Sequence, residues 1–241
     1  MVRVLIVGQD KGGVGKSLLV RALAEAVPAA PIIEVDSTRR LVELEDRVMF
    51  FSMRAERIDI ERSGGKAARA EFDGVINAMW TATVPTIVDV GANTARSLLT
   101  VLSGMTEDFA ERNVELGVLV IVTAEPGAMA EAPRIMKIAK DAGATRFLLE
   151  NRLQGPVNAA DLKKIADGAP TSALDEHVME DEAVRLLQIG GLASIPNLDS
   201  ARLNEAHGVA AGSRIRRDLT RLRAAAMEAA RRPASWLVGE A

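Results

Sequence analysis

The chain of 241 residues contains no cysteine. Disulfides, thiol catalysis and cysteine-ligated metal sites are therefore excluded together. Its two histidines, His177 and His207, are too few and too scattered to suggest a zinc site. Charge of one sign is also lacking: 30 basic and 33 acidic side chains leave a formal net charge of -3. Nothing pulls the whole molecule towards nucleic acid or an anionic membrane, so such a partner would need a local basic patch. No apolar run approaches bilayer-spanning length, and there is no repeat or low-complexity tract. The first residues run straight into a strand pattern, without the basic region and apolar core of a signal peptide, and the expected location is the cytoplasm. What is present is the composition of an ordinary globular protein, 48% hydrophobic and 26% charged. The length suits one medium domain, read here as 1–241, with room for a sizeable core.

Short, β-branched, nearly continuous apolar runs recur at Val2–Val7, Pro31–Val35, Thr86–Val90, Val118–Val122 and Arg146–Glu150. Runs of this length without alternation predict strands buried on both faces. Stretches of helical period separate them, most clearly Leu18–Ala26, Ala95–Ala110, Ala128–Ala142 and Asp181–Ile189. Strand alternating with helix predicts an α/β fold, a mostly parallel central sheet with helices on both faces. In such sheets ligands bind beyond the carboxyl ends of the strands. The polar segment Arg54–Arg69, with Ser63-Gly64-Gly65, reads as a mobile loop or turn.

The first apolar run is followed by Gly8-Gln9-Asp10-Lys11-Gly12-Gly13-Val14-Gly15-Lys16-Ser17, and a helical pattern opens at its end. A phosphate loop requires that context. Glycines let the backbone wrap an anion so that consecutive N–H groups point inward, and the helix adds its positive dipole end. Lys16 supplies a point charge to the β- and γ-phosphates, and the Ser17 hydroxyl can ligate Mg²⁺. The nucleotide-binding set read from the loop is Lys11, Gly12, Gly13, Val14, Gly15, Lys16, Ser17 and Leu18.

A standard Walker A loop would carry glycine where Asp10 stands. The pattern Lys-Gly-Gly-Val-Gly-Lys-Ser resembles instead the deviant Walker A of the ParA/MinD superfamily of P-loop ATPases. The resemblance implies an ATP-dependent homodimer in which Lys11 reaches across to the partner's phosphates, the work an arginine finger does elsewhere. Asp10 departs from the glycine, glutamine or serine more usual before that lysine, and brings a carboxylate near an anion site. By the same resemblance, Asp36 at the end of Glu34-Val35-Asp36 would position the attacking water, with a possible metal contact through water. Glu34 replaces the usual first aspartate. The alternative is that one or both cap a following helix at Arg39–Glu45. Asp89, ending Thr86-Ile87-Val88-Asp89, matches the aspartate that holds Mg²⁺ through water; a structural hydrogen bond to the phosphate loop is the alternative. Asn151 stands where relatives contact the adenine edge, or else is a turn former. Lys11, Lys16 and Asp36 are thus the candidate catalytic residues, with ATP and Mg²⁺ as cofactors of a weak, partner-stimulated ATPase.

Two further stretches, Ile87–Thr94 with Leu98–Leu102, and Val120–Ala124, resemble the TraL-type proteins of conjugative plasmids within that superfamily. They imply a switch serving plasmid transfer or maintenance, with a protein partner from such a system. Ser37-Thr38-Arg39-Arg40 departs from the family, where proline and asparagine are more usual, and leaves a non-hydrolysing nucleotide sensor open. The basic stretch 213–232, with Arg214, Arg216, Arg217, Arg221, Arg223, Arg231 and Arg232, could hold a DNA backbone, as in a DNA-partition ATPase. Ile215, Leu219, Leu222 and Ala226 at helical spacing support instead an amphipathic helix packed on the body. Trp236-Leu237-Val238 is too short for a stable membrane anchor.

Overall fold

The computed structural model describes residues 1–53 and 66–240. Seven strands form one sheet: β1 (Val2–Gly8), β2 (Ile32–Asp36), β3 (Val48–Ser52), β4 (Thr86–Val90), β5 (Val114–Val122), β6 (Thr145–Asn151) and β7 (Thr171–Leu174). Their order is β3-β2-β4-β1-β5-β6-β7, and every described pairing is parallel. The helices are α1 (Lys16–Ala26), α2 (Lys66–Trp80), α3 (Ala95–Ser103), α4 (Thr106–Glu111), α5 (Pro126–Asp141), α6 (Ala159–Ala166), α7 (Asp181–Gly190), α8 (Ser200–His207) and α9 (Val209–Val238). Two 3₁₀ segments lie at Val42–Arg47 and Leu192–Asn197.

Successive strand residues enter opposite cores, which is why the runs show no polar face. Leu5, Val7, Ile32, Leu119 and Leu149 pack with Leu19 of α1 and Ile215, Leu219 and Leu237 of α9. Val4, Ile6, Ile33, Val118 and Leu148 pack with Val75 of α2, Leu98 of α3 and Ile135 of α5. The sheet is thus the middle of three layers. From β1 the chain turns outward to β2 over the first face, through α1. From β4 it crosses to β5 over the second face, through α3 and α4. The connections diverge between β1 and β4, the place where sheets of this kind carry their ligand crevice, beyond the strand ends.

Several elements differ from the sequence reading. Strands β3 and β7 are additional, and both lie at sheet edges. The helix expected over Ala95–Ala110 breaks at Gly104-Met105 into α3 and α4. The helix considered at Arg39–Glu45 is a 3₁₀ segment beginning at Val42. Of the segment read as a mobile loop, 54–65 lies outside the described residues, and the remainder opens α2. The basic stretch lies within α9, which buries Ile215, Leu219, Leu222 and Ala226. Trp236 near its end stacks edge-on against Phe147, 5.8 Å between centroids.

Candidate functional site

The loop between β1 and α1 wraps a backbone cradle. Gly13 and Gly15 have φ of 77° and 92°, values that side-chain-bearing residues rarely adopt. No backbone N–H from Gly12 to Ser17 donates to another group among the described residues. A row of free donors at a helix N-terminus fits an anion. Lys16 is only 8% exposed, and its ammonium donates to the carbonyls of Gln9 (2.8 Å) and Lys11 (3.3 Å). Burial pushes its pKa down, opposed by the nearby carboxylates of Asp89, Asp36 and Asp10. This cation has loop carbonyls for partners and is placed to exchange them for phosphate oxygens.

Three acidic residues gather at the ends of β2 and β4. Glu34 and Asp89 are register partners on adjacent strands, and Asp89 is also paired with Val7 at the end of β1. Asp89 is 5% exposed and pushed up to about 7 by burial, which outweighs the attraction of Lys16; Glu34 and Asp36 raise it further. An acid held so expensively fits a cation that would discharge it. With the Ser17 hydroxyl at the start of α1, Asp89 and Asp36 form an oxygen-rich set of the type Mg²⁺ takes through water.

Asp36 accepts from the Ser37 N–H (2.6 Å) and hydroxyl (3.1 Å), and Arg40 Nε lies 3.5 Å from its other oxygen. A Cβ on Gly91 would stand 2.8 Å from Asp36 Cγ, so the loop after β4 can pass here only as glycine. Glu34 serves the backbone: its Oε1 accepts from the N–H groups of Arg40 (2.5 Å) and Leu41 (3.2 Å). It thus caps the chain segment after β2, ahead of the 3₁₀ turn, whereas Asp36 remains at the crevice.

Asn151 ends β6 beneath the loop and is 1% exposed. Its Nδ2 donates to the Val14 carbonyl at 2.9 Å, while its Oδ1 has no partner. That orphaned acceptor fits a donor such as the exocyclic amine of adenine. A Cβ on Gly15 would sit 2.5 Å from the same Nδ2, a second reason for glycine there.

Asp10 is engaged by the first turn of α3. Its carboxylate accepts from the Arg96 N–H at 3.2 Å, in the first turn of α3, whose own Thr94 makes no side-chain cap. Its backbone carbonyl accepts from Asn93 N–H at 2.9 Å. Burial raises its pKa, opposed by the Arg96 backbone N–H and guanidinium. Side chain and backbone of Asp10 together tie the phosphate loop to the start of α3 and to the loop after β4. The Arg96 guanidinium lies 3.5 Å from Glu131, which in turn pairs with Arg134.

Lys11 points out of its own cradle. Its side chain is 46% exposed, and its ammonium lies 3.4 Å from Glu125. Glu125 also caps α5 through the Ala128 N–H. Despite burial that works the other way, Lys11 and the N–H groups of Ala128 and Gly127 hold the Glu125 carboxyl below its usual range. Gln9, Glu125 and Arg96 were not legible as site residues, because each is defined by partners distant in sequence; Arg40, whose partners Glu34 and Asp36 are near in sequence, stood out only as a departure from the family pattern. For Gln9 the nearest signal was its position beside recognised motif residues.

No family model and no curated sequence matches the chain. Among solved structures, the MinD cell division protein of Aquifex aeolicus is similar, with a TM-score of 0.46 and 14% identity. The match covers 92% of this chain and 98% of that one.

Proposed function

We propose that this chain is a Mg²⁺-dependent ATPase of the deviant Walker A kind, working as a slow, ATP-controlled dimeric switch. The observation that carries the reading is the cradle: free N–H groups from Gly12 to Ser17 around a buried Lys16, facing Asp36 and Asp89 at the strand ends. In this reading Lys16 and the loop N–H groups bind the β- and γ-phosphates, and Asn151 receives the base. Asp36 orients water for in-line attack on the terminal phosphate. Mg²⁺, held by Ser17 directly and by Asp89 and Asp36 through water, supplies charge neutralisation on the phosphates when bound. Lys11, turned outward, serves the facing chain's nucleotide. Loss of the γ-phosphate then weakens the grip of both chains, which is the switch.

The motif resemblance supports a role in plasmid conjugative transfer or maintenance, with a protein partner that stimulates hydrolysis. Sedimentation of Asp36→Ala with ATP and with ADP tests the mechanism. The ATP-bound species should have twice the mass of the ADP-bound one, and adding Lys11→Ala should return it to the single-chain mass. If Lys11→Ala changes neither mass nor hydrolysis rate, the dimer mechanism falls. ATP binding without phosphate release would make the chain a nucleotide sensor.

A second reading, non-specific DNA binding, has its own support. Arg214 and Arg223 are engaged by Glu180 and Glu25, and Arg231 by Glu228. Arg216, Arg217, Arg221 and Arg232 are exposed on α9 with no ion pair among the described residues. Co-sedimentation with duplex DNA, with and without ATP, decides it. No helix among the described residues is long and apolar enough to cross a membrane, and co-sedimentation with anionic liposomes tests for attachment to a membrane surface.

A further inference from the structure

Ser37-Thr38-Arg39-Arg40 follows the strand that carries Asp36, and its backbone is held with unusual care. Glu34, 1% exposed, accepts from the Arg40 N–H at 2.5 Å. From the other side, Arg21 of α1 donates to the Arg40 carbonyl at 2.8 Å, and Arg21 is itself paired with Glu43. The Arg40 peptide is therefore clamped between β2 and the first helix, while its side chain is left 57% exposed. A residue needed only for its backbone would not require a guanidinium directed at Asp36, 3.5 Å away. The positive charge is also felt at Lys16, whose proton affinity it lowers.

This places Arg40 at one end of the cradle. Asn151 lies under Val14 and Gly15 at β6, on the side of β1 opposite to β2. Asp36 and Asp89 stand at the β2 and β4 ends, where the terminal phosphate must point if Lys16 bridges the β- and γ-phosphates. An arginine at that end, tethered by its backbone and free in its side chain, has a weak carboxylate contact to give up. A terminal phosphate offers more charge and bidentate geometry.

We propose that Arg40 is a phosphate-facing residue of this chain's own nucleotide site, exchanging Asp36 for the terminal phosphate of bound ATP. The exchange rests on the ATP-site reading above. It does two things at once: it adds a cation to the phosphoryl group, and it releases the Asp36 carboxylate to accept a hydrogen bond from water. Glu34 then acts as a positioning residue, and its extra methylene relative to aspartate lets it reach the Arg40 N–H.

The test compares the non-hydrolysable imido analogue of ATP with ADP, by titration calorimetry at concentrations where sedimentation shows a single chain. Arg40→Ala, at an exposed side chain, should keep the parental circular dichroism spectrum. It should weaken the imido analogue about ten-fold or more and leave ADP within about two-fold, since one charge-assisted contact to the terminal phosphate is lost. Phosphate release should fall as well, and Arg40→Lys should restore part of both. An unchanged ratio of the two affinities in Arg40→Ala overturns the assignment while the ATP site stands. If the parental chain binds neither nucleotide, both readings fall together.

Discussion

Asp89→Asn removes a charge from the most expensive position in the crevice. Burial in the folded chain pushes the Asp89 carboxyl up to about 7, against 3.8 for an ordinary aspartate. Between these values the native chain holds one proton more than the unfolded chain, so stability falls as pH rises through that window. A displacement of about 3 pH units corresponds to about 4 kcal/mol of destabilisation at pH 8. At pH 5 only about 1 unit of it has accrued, about 1 kcal/mol. The attraction of Lys16 is already contained in this figure, and Lys16 keeps its bonds to the Gln9 and Lys11 carbonyls in the variant. Asparagine has the same shape and no charge. Asp89→Asn should therefore be more stable than the parent at pH 8, with a gain about 3 kcal/mol larger there than at pH 5. Urea denaturation at both pH values, in metal- and nucleotide-free buffer, follows the fluorescence of buried Trp236. The same substitution should weaken Mg²⁺-dependent ATP binding, a trade of function against stability. A gain that is equal at the two pH values, or absent at pH 8, would refute the reasoning.

Other substitutions probe the segment that joins β1 to α1. Asp10→Ala uncaps α3 and should cost about 1 kcal/mol in urea denaturation, while Asp10→Asn, which keeps an acceptor, should cost less; equal stability of all three chains would remove Asp10 from its capping role. Gly15→Ala places a Cβ 2.5 Å from Asn151 Nδ2 at a φ of 92°. It should lower stability by about 1–2 kcal/mol and abolish ATP binding. Adding Asn151→Ala should recover part of the stability, because the collision goes and the strained φ stays. Lys16→Ala should lose ATP binding in a protein whose thermal unfolding remains cooperative; retained affinity would end the phosphate-loop assignment.

The layered α/β fold was legible because five central strands are buried on both faces and so carry uninterrupted apolar runs. The edge strands lacked that signature. Thr171–Leu174 is polar and short, and Val48–Ser52 follows an acidic 3₁₀ segment that hides its start. The phosphate loop was legible because its chemistry is contiguous: free N–H groups, lysine and hydroxyl come from one stretch of chain. Partnerships across the sheet were not. Nothing local to Asp10 says that it turns towards Arg96, and nothing local to Glu125 says that Lys11 lies beside it. Glu34 looked like a weakened copy of an expected aspartate, whereas its length serves the Arg40 and Leu41 N–H groups.

The packing of α9 bears on how the chain folds as it is made. Strand β1 occupies the middle of the sheet, and the face it shares with α1 is covered by Ile215, Leu219 and Leu237. At the start of β1, Arg3 lies over the Trp236 ring, 5.2 Å from its centroid, and the same ring covers Gly117 of β5. The opposite face is complete once α6 has formed. During synthesis the two faces therefore mature at different times. A nascent chain with all seven strands outside the ribosome still presents one apolar face to its surroundings until residues beyond 237 emerge. In that interval a chaperone, or another copy's exposed face, competes with α9 for the same surface.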